Sequence, residues 1–425
     1  MDTDNLKISH LYLTNNSHLI IQPYGYILFS AISNEYEILD FPTGDFLFNV
    51  VKGISVIDSL ENVIDNPTQE EKIESINFLR GLASDGYLTR EKTEPNIFGG
   101  KDSITPIVLD IEISRHCTNN CIYCFNESST NNHGNIVNEE SYQKAASKFL
   151  KSSKFLVVNF TGGEPFLVDI FPYFYELVWG SCNVHIQTSG IGYEKHSSML
   201  IEHKPSRVQV SLDSHNEQGN DLRRGKGSWK RAIKFIEFCN DNAIQVEVAS
   251  VVDNENLHDI IDTFQWLTNN YSVAKCTASP MTISGRSKKL IDRRLSAEQL
   301  NYLGNSLHDL SIHKFQVSDP LQNTLKGISH PCRALWGFWT LDYNGYLIPC
   351  PQINDDFGAF SESLKTNLRH PGSTSMFCSN LLAFSMPGSV ESCKKRDCDL
   401  FELCKTCYLF RLSKVTGDAC SSYIS

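Results

Sequence analysis

The chain has 425 residues, 41% of them hydrophobic and 20% charged, with a net charge of −11. At roughly 100–200 residues per domain, that length suits a soluble globular protein of two to three domains. The acidic balance excludes a nucleic-acid partner held through its phosphates, because such a partner needs a basic face.

Taken in chain order, Met1 to Asn16 has no cationic start followed by an apolar core, so it does not read as a secretory signal. Apolar runs such as Phe155–Val158 are too short to cross a bilayer, so no membrane partner is expected and the protein is placed in the cytoplasm. Residues 1–95 read as a small α+β unit. Strand-like runs at 26–32 and 35–40 flank a hairpin at Ser33-Asn34, helical patterns follow at 44–51 and 69–79, and Gly86–Thr89 closes the unit as a short strand. Residues 96–104 lie in a stretch with Pro95, Gly99 and Gly100 among charges, and read as a linker.

Residues 105–315 alternate between strands (106–113, 154–160, 183–188, 207–212 and 245–252) and helices (139–151 and 228–240). Such alternation implies an α/β fold with a parallel sheet and crossover helices. About six such units give a partial (β/α)6 TIM-like barrel, whose chemistry belongs at the C-terminal ends of the strands. Residues 320–425 are cysteine-rich with little periodicity, and are predicted to fold around metal rather than around a large apolar core.

Fourteen cysteines are many for a reducing compartment, where clustered thiols bind metal or catalyse more often than they form disulfides. Ten of them form two groups, and Cys182, Cys239, Cys276 and Cys378 stand apart. The first group, Cys117-Thr-Asn-Asn-Cys121-Ile-Tyr-Cys124, directly follows the first barrel strand. Three thiolates can hold three irons of a 4Fe–4S cluster and leave the fourth open for a ligand. Structural zinc takes four ligands, and no fourth is evident nearby; His116 is badly placed beside Cys117.

This C-x3-C-x2-C motif after the first strand resembles the signature of the radical SAM superfamily. The resemblance implies that the open iron is chelated by S-adenosylmethionine, and that one electron then yields a 5′-deoxyadenosyl radical that abstracts hydrogen from substrate. Three further features support it. Gly162-Gly163-Glu164-Pro165 resembles the family's GGEP segment, in which glycines allow close backbone approach and Glu164 would accept from the cofactor's ammonium. Ser211 and Asp213, followed by Arg223 and Arg224, resemble the stretch that holds ribose and carboxylate, for which arginine is suited; which arginine points inward is left open. Tyr123 matches an aromatic position near the adenine.

The second group is Cys332-x12-Gly345-x4-Cys350, then Cys393-x4-Cys398-x5-Cys404-x2-Cys407, then Cys420. It resembles the SPASM extension, implying two auxiliary 4Fe–4S clusters, although two spacings depart from that pattern (x4 for x2, x2 for x3). By the family's topology Cys332, Cys350 and Cys407 hold the nearer cluster, with Cys378, Cys276 or substrate as candidates for its fourth position, and Cys393, Cys398, Cys404 and Cys420 hold the outer one. Zinc ribbons are the plainer alternative.

The N-terminal block resembles the winged-helix-like, PqqD-like recognition element of ribosomal-peptide maturases. That implies capture of a precursor's leader by strand addition, with Tyr24, Tyr26 and Phe29 as groove-lining candidates. The leading expectation is a peptide maturase that binds a short ribosomal precursor through its leader. It would draw on an external one-electron donor and form a cyclophane-type carbon–carbon link or a thioether. A formylglycine-making, sulfatase-type maturase and a non-enzymatic zinc adaptor are the alternatives.

Overall fold

The computed structural model describes residues 10–31, 35–132, 135–309, 315–317, 337–351 and 365–384. The chain divides into two compact units, Met1–Thr105 and Pro106–Ser425.

The first unit opens with β1 (Tyr12–Leu13), β2 (Ser17–Gln22), β3 (Gly25–Ser30) and β4 (Tyr36–Leu39), with β2–β3 and β3–β4 paired antiparallel. The β2–β3 turn requires glycine at Gly25, where φ is +147° and a Cβ would lie 2.2 Å from the Leu39 carbonyl oxygen. Helices α1 (Phe41–Val51), α2 (Val56–Glu61) and α3 (Gln69–Ser84) follow. Asp40, Ser55 and Thr68 cap them, each accepting a backbone N–H three residues on, and Glu71 completes a capping box at Thr68. Their apolar faces, including Phe46, Leu47, Val50, Leu60, Ile76 and Leu79, share one core with Leu19, Tyr26, Leu28 and Leu39 of the sheet.

β5 (Leu88–Thr89) pairs with β1, and β6 (Asn96–Gly99) joins the sheet parallel to β2, giving the order β4-β3-β2-β6. Residues 96–99 are thus a strand where a linker was expected. The reason is local: Ile97 packs against the core of the unit and Phe98 lies edge-on to His18. Tyr26 and Phe29 are buried, Tyr26 with its hydroxyl on Asp45, so neither is a groove-lining side chain; Tyr24 is half-buried.

The second unit carries seven parallel strands in the order β13-β12-β11-β10-β9-β8-β7. They are β7 (Val108–Glu112), β8 (Val157–Thr161), β9 (Asn183–Thr188), β10 (Arg207–Ser211), β11 (Val246–Val252), β12 (Val273–Pro280) and β13 (Phe315–Val317). The helices between them include α4 (Asn135–Asn138), α5 (Glu140–Ser152), α6 (Phe171–Val178), α7 (Ser197–Glu202), α8 (Glu217–Arg224), α9 (Ser228–Asp241), α10 (Asp259–Asn270) and α11 (Ala297–Asp309). Beyond β7 the sheet continues through β14 (Phe338–Leu341), parallel to β7, then β15 (Tyr346–Ile348) and β16 (Thr366–Asn367), both antiparallel. Helix α12 (Ser373–Phe384) ends the described chain. This is the large parallel sheet of a partial TIM-like barrel.

Alternation along the strands sorts the side chains. On the helix side Phe160 meets Phe171 and Tyr175 of α6. The opposite face is polar at depth. Asn159 donates to Asp110 at 2.6 Å, His185 Nδ1 lies 2.9 Å from Asn159 Oδ1 and 3.1 Å from Arg207 Nε, and Arg207 pairs with Glu247 at 2.5 Å. Among the described residues no helix is long and apolar enough to cross a membrane.

Candidate active site

A cavity of about 400 Å³ opens where β8 to β12 end, the edge expected for a parallel barrel. Cys117, Cys121 and Cys124 all line it, from the loop that follows β7. That loop is held on several sides. Asn120 N–H donates to the Arg224 carbonyl at 3.2 Å and Ile122 N–H to the Arg223 carbonyl at 2.9 Å, so the free carbonyls ending α8 carry the middle of the loop. Cys117 N–H donates to the Ser129 carbonyl at 3.1 Å and closes the loop on itself. Burial, with the charge of Glu164, pushes the Cys117 thiol up to about 12; burial pushes Cys121 up to about 11 against the opposing pull of Arg224. Any metal that binds must therefore displace thiol protons.

Among the described residues no three His, Cys, Asp or Glu side chains converge on one point as ligands of a single metal ion. Zinc needs its thiolates about 2.3 Å from one centre. Three thiols lining one cavity could each bind a different iron of a cubane.

The other expected residues divide into those on the cavity and those behind it. Tyr123, Gly162, Gly163, Ser211 and Arg224 line it. The two glycines are needed for contact with the chain itself rather than with a ligand. A Cβ at Gly162 (φ +126°) would lie 2.3 Å from the Ser114 carbonyl oxygen, and one at Gly163 would lie 2.2 Å from that of His116. Gly163 N–H and Glu164 N–H donate to those same carbonyls at 2.6 and 2.9 Å, zipping the β8 loop onto the cysteine loop. Glu164 is 1% exposed, and its carboxylate accepts from Thr188 Oγ1 (2.5 Å), Ser189 N (2.8 Å) and Ser189 Oγ (2.6 Å). It ties β8 to β9 from behind the wall, beside the buried Pro165.

Asp213 is fully buried and accepts from Arg224 Nη2 at 2.8 Å, Arg223 Nε at 3.3 Å, Val251 N at 2.9 Å and the Tyr123 hydroxyl. The arginines hold its carboxyl below the usual range against the cost of burial. Arg223 is spoken for, with Nη1 2.9 Å from both oxygens of Asp253. Arg224 lines the cavity, and its buried Nε has no partner, which is the free donor an added carboxylate would take.

Three supports escaped the sequence reading. Asn126 accepts from Cys124 Sγ at 2.9 Å, Asp253 selects Arg223, and Arg286 grips the loop by donating to the Cys121 and Ser128 carbonyls at 2.8 Å each. Ser284-Gly285-Arg286 reads in the sequence as the end of the last barrel strand or a substrate contact; the structure sets Arg286 on the cysteine loop. Of the second cysteine group, Cys350 is half-buried after β15. Cys332, Cys393, Cys398, Cys404, Cys407 and Cys420 lie outside the described residues. Cys378 is buried on α12, Cys276 on β12 and Cys239 on α9.

The sequence profile of the radical SAM superfamily matches residues 111–267, from the end of β7 into α10. Residues 111–267 are a radical SAM domain. Such a domain implies a 4Fe–4S cluster and S-adenosylmethionine, and the cysteine loop, the Gly162–Pro165 segment and Arg224 all fall inside it. The chain is 26% identical over 197 residues to Fe-coproporphyrin III synthase of Methanosarcina barkeri, covering 46% of this chain and 48% of that protein. It is 28% identical over 193 residues to the mycofactocin maturase MftC of Mycolicibacterium smegmatis, covering 44% and 47%. These matches span about half the length of the curated relatives. The fold is also that of Streptococcus suis SuiB, solved bound to its precursor peptide SuiA, with a TM-score of 0.66 over 96% of this chain and 97% of that one at 17% identity. Relatives acting on such different molecules leave the substrate to be argued from the rest of the chain.

Proposed function

We propose that this protein is a radical SAM peptide maturase. It would bind a short ribosomal precursor through its leader and introduce a cross-link, a cyclophane-type carbon–carbon bond or a thioether. The observation that carries the reading is that Cys117, Cys121, Cys124 and Arg224 line one and the same cavity. Bound there, the cluster and S-adenosylmethionine supply a 5′-deoxyadenosyl radical. The chain's own part is to position them. Cys117, Cys121 and Cys124 hold the irons, Arg224 and Ser211 face the cofactor, Asp213 and Tyr123 fix Arg224, and the buried walls exclude water.

The peptide side of the proposal draws on the strand-and-helix unit at residues 10–105. Among the described residues β4 is an outer strand of its sheet, and its Tyr36, Glu37 and Ile38 keep some exposure; strand addition would use that side. The likeness to SuiB along nearly the whole chain supports the same assignment at the level of fold. Cys332, Cys350, Cys393, Cys398, Cys404, Cys407 and Cys420 would hold auxiliary clusters, and an external donor would supply the electron.

The test uses anaerobically reconstituted protein, reduced with dithionite and given S-adenosylmethionine. Wild type should release 5′-deoxyadenosine and Cys121→Ala should not. Protein that takes up zinc instead of iron and releases none would overturn the reading. A co-expressed precursor that loses two hydrogens by mass would support the cross-link, and a cysteine or serine converted to formylglycine would replace it.

A further inference from the structure

Glu112 is the last residue of β7, 2% exposed, and does not line the cavity. Its carboxylate faces two cysteine-bearing segments at once. On one side Oε1 accepts from Asn126 Nδ2 at 3.1 Å. Asn126 Oδ1 in turn accepts from Cys124 Sγ at 2.9 Å and from Ser128 N and Oγ at 3.3 and 2.7 Å. Glu112 and Ser128 together dictate which end of the Asn126 amide faces the Cys124 sulfur.

On the other side Glu112 lies beside the turn between β14 and β15, next to the Tyr343 backbone. Arg115 braces the same contact, 3.9 Å from Glu112 and stacked 4.1 Å from the centre of the Tyr343 ring. The register makes this meeting unavoidable. β14 runs parallel to β7 with Leu341 opposite Ile111, so the turn sits just beyond Glu112. Asp342 stiffens the turn by accepting from Asn344 N at 2.9 Å and Tyr346 N at 2.8 Å. β15 then leads directly to Cys350.

We propose that Glu112 is a positioning residue that ties the catalytic cysteine loop to the β14–β15 hairpin, through Asn126 on one side and Tyr343 on the other. The hairpin that runs into Cys350 thereby sets the polar surroundings of Cys124. This rests on the reading of Cys117, Cys121 and Cys124 as cluster ligands. Hydrogen bonds and dipoles around ligand sulfurs set a cluster's potential, and the partners that orient ligands tune it further. Once ligation displaces the Cys124 proton that bond is lost, yet Glu112 and Ser128 still hold the Asn126 oxygen toward the sulfur, an arrangement that disfavours the added electron. Releasing Asn126 should therefore move the potential to less negative values.

The experiment is an anaerobic redox titration of the full-length reconstituted protein, followed by electron paramagnetic resonance. The signal read is the one that changes on adding S-adenosylmethionine. Wild type, Glu112→Ala, Cys350→Ala and the double variant are compared. Glu112→Ala should shift the midpoint to less negative values. Cys350→Ala should shift it in the wild-type background and leave it unmoved in the Glu112→Ala background. Equal Cys350→Ala shifts in both backgrounds, or none in either, overturn the coupling. Should Glu112→Ala not fold, Asn126→Ala cuts the same tie at its other end and must likewise reduce the Cys350→Ala shift; an undiminished shift overturns the proposal. A wild type with no iron and no signal sensitive to S-adenosylmethionine defeats the reading of the site itself, and the coupling with it.

Discussion

Arg286 and Cys121 are joined by a 2.8 Å hydrogen bond from the guanidinium Nε to the Cys121 carbonyl, across 165 residues of sequence. The same side chain reaches the Ser128 carbonyl at 2.8 Å, and Arg286 N–H reaches that of Cys124 at 3.0 Å. One arginine in the helical turn that follows β12 thus spans the loop. Gly285 makes the approach possible, because a Cβ there would lie 2.4 Å from the Phe125 carbonyl oxygen. Bonds from a charged donor contribute roughly 1.5–3 kcal/mol each, so losing the two side-chain bonds in Arg286→Ala should loosen the loop by roughly 3–6 kcal/mol. The expected result is a large drop in iron retained after reconstitution and faster amide exchange across Cys121–Ser128. Arg286→Lys keeps the charge but not the fork, and should fall between. Unchanged iron content in Arg286→Ala would refute the role.

Gly163→Ala should be among the most damaging single-methyl additions in the barrel. Its Cβ would sit 2.2 Å from the His116 carbonyl oxygen, and both backbones are fixed by the paired bonds of Gly163 and Glu164. Overpacking of this kind costs roughly 1–3 kcal/mol or more, and here it also displaces the cysteine loop. Gly81→Ala in α3 is the contrasting case, with nothing within 4 Å of the added methyl. It should stabilise by roughly 0.5–1 kcal/mol through helix propensity. Thermal melts of the two variants should therefore move in opposite directions.

The two adjacent arginines should separate by readout. Arg223→Gln strips the guanidinium from Asp253 and one of two from Asp213, both fully buried. Leaving buried charges unpaired costs roughly 3–5 kcal/mol, so this variant should melt far below wild type. Arg224→Gln leaves Asp213 with Arg223, Val251 N–H and Tyr123. Its loss should fall mainly on S-adenosylmethionine affinity, at least about tenfold for one charge-assisted contact. Equilibrium binding beside a melt distinguishes the two, and equal binding losses would refute the assignment.

The parts that were legible in the sequence are those whose chemistry is local. Three cysteines within eight residues announce themselves, and so do alternating strands such as Val108–Glu112 and Val157–Thr161. Choosing between Arg223 and Arg224 was not possible, because consecutive helical residues differ only in direction, and Asp253, which captures one of them, comes 30 residues later. The glycines of the β8 loop were recognised, but their neighbours, Ser114 and His116, lie far back in the chain. Tyr26 lies under α1, its ring against Gly44, whereas Phe29, three residues on, faces the other side of β3 beside His18, so the two do not share one groove. Asn96–Gly99 was hidden among Pro95 and glycines that read as loop, yet Ile97 carries it into the core.

Asp342 offers a pH signature independent of any cofactor. Burial pushes its carboxyl up to about 7, with the charge of Glu112 adding to the effect and the N–H groups of Tyr346 and Asn344 opposing it. In the unfolded chain it titrates near 3.8. The folded state therefore holds the proton more tightly. The stability this provides is complete below pH 3.8 and is lost as pH rises through about 7. Asp342→Asn removes the ionisation but keeps the oxygen that accepts from Asn344 and Tyr346 N–H. Metal-free Asp342→Asn should consequently match wild type in the most acid buffers it survives and exceed it above pH 7. The gain there should be on the order of 2 kcal/mol, less than the full conversion of the shift because a charged Asp342 draws in water and relaxes its surroundings. Paired melts between pH 5 and 8.5 measure the difference. A gap that stays constant with pH would mean that Asp342 is not held above its ordinary pKa.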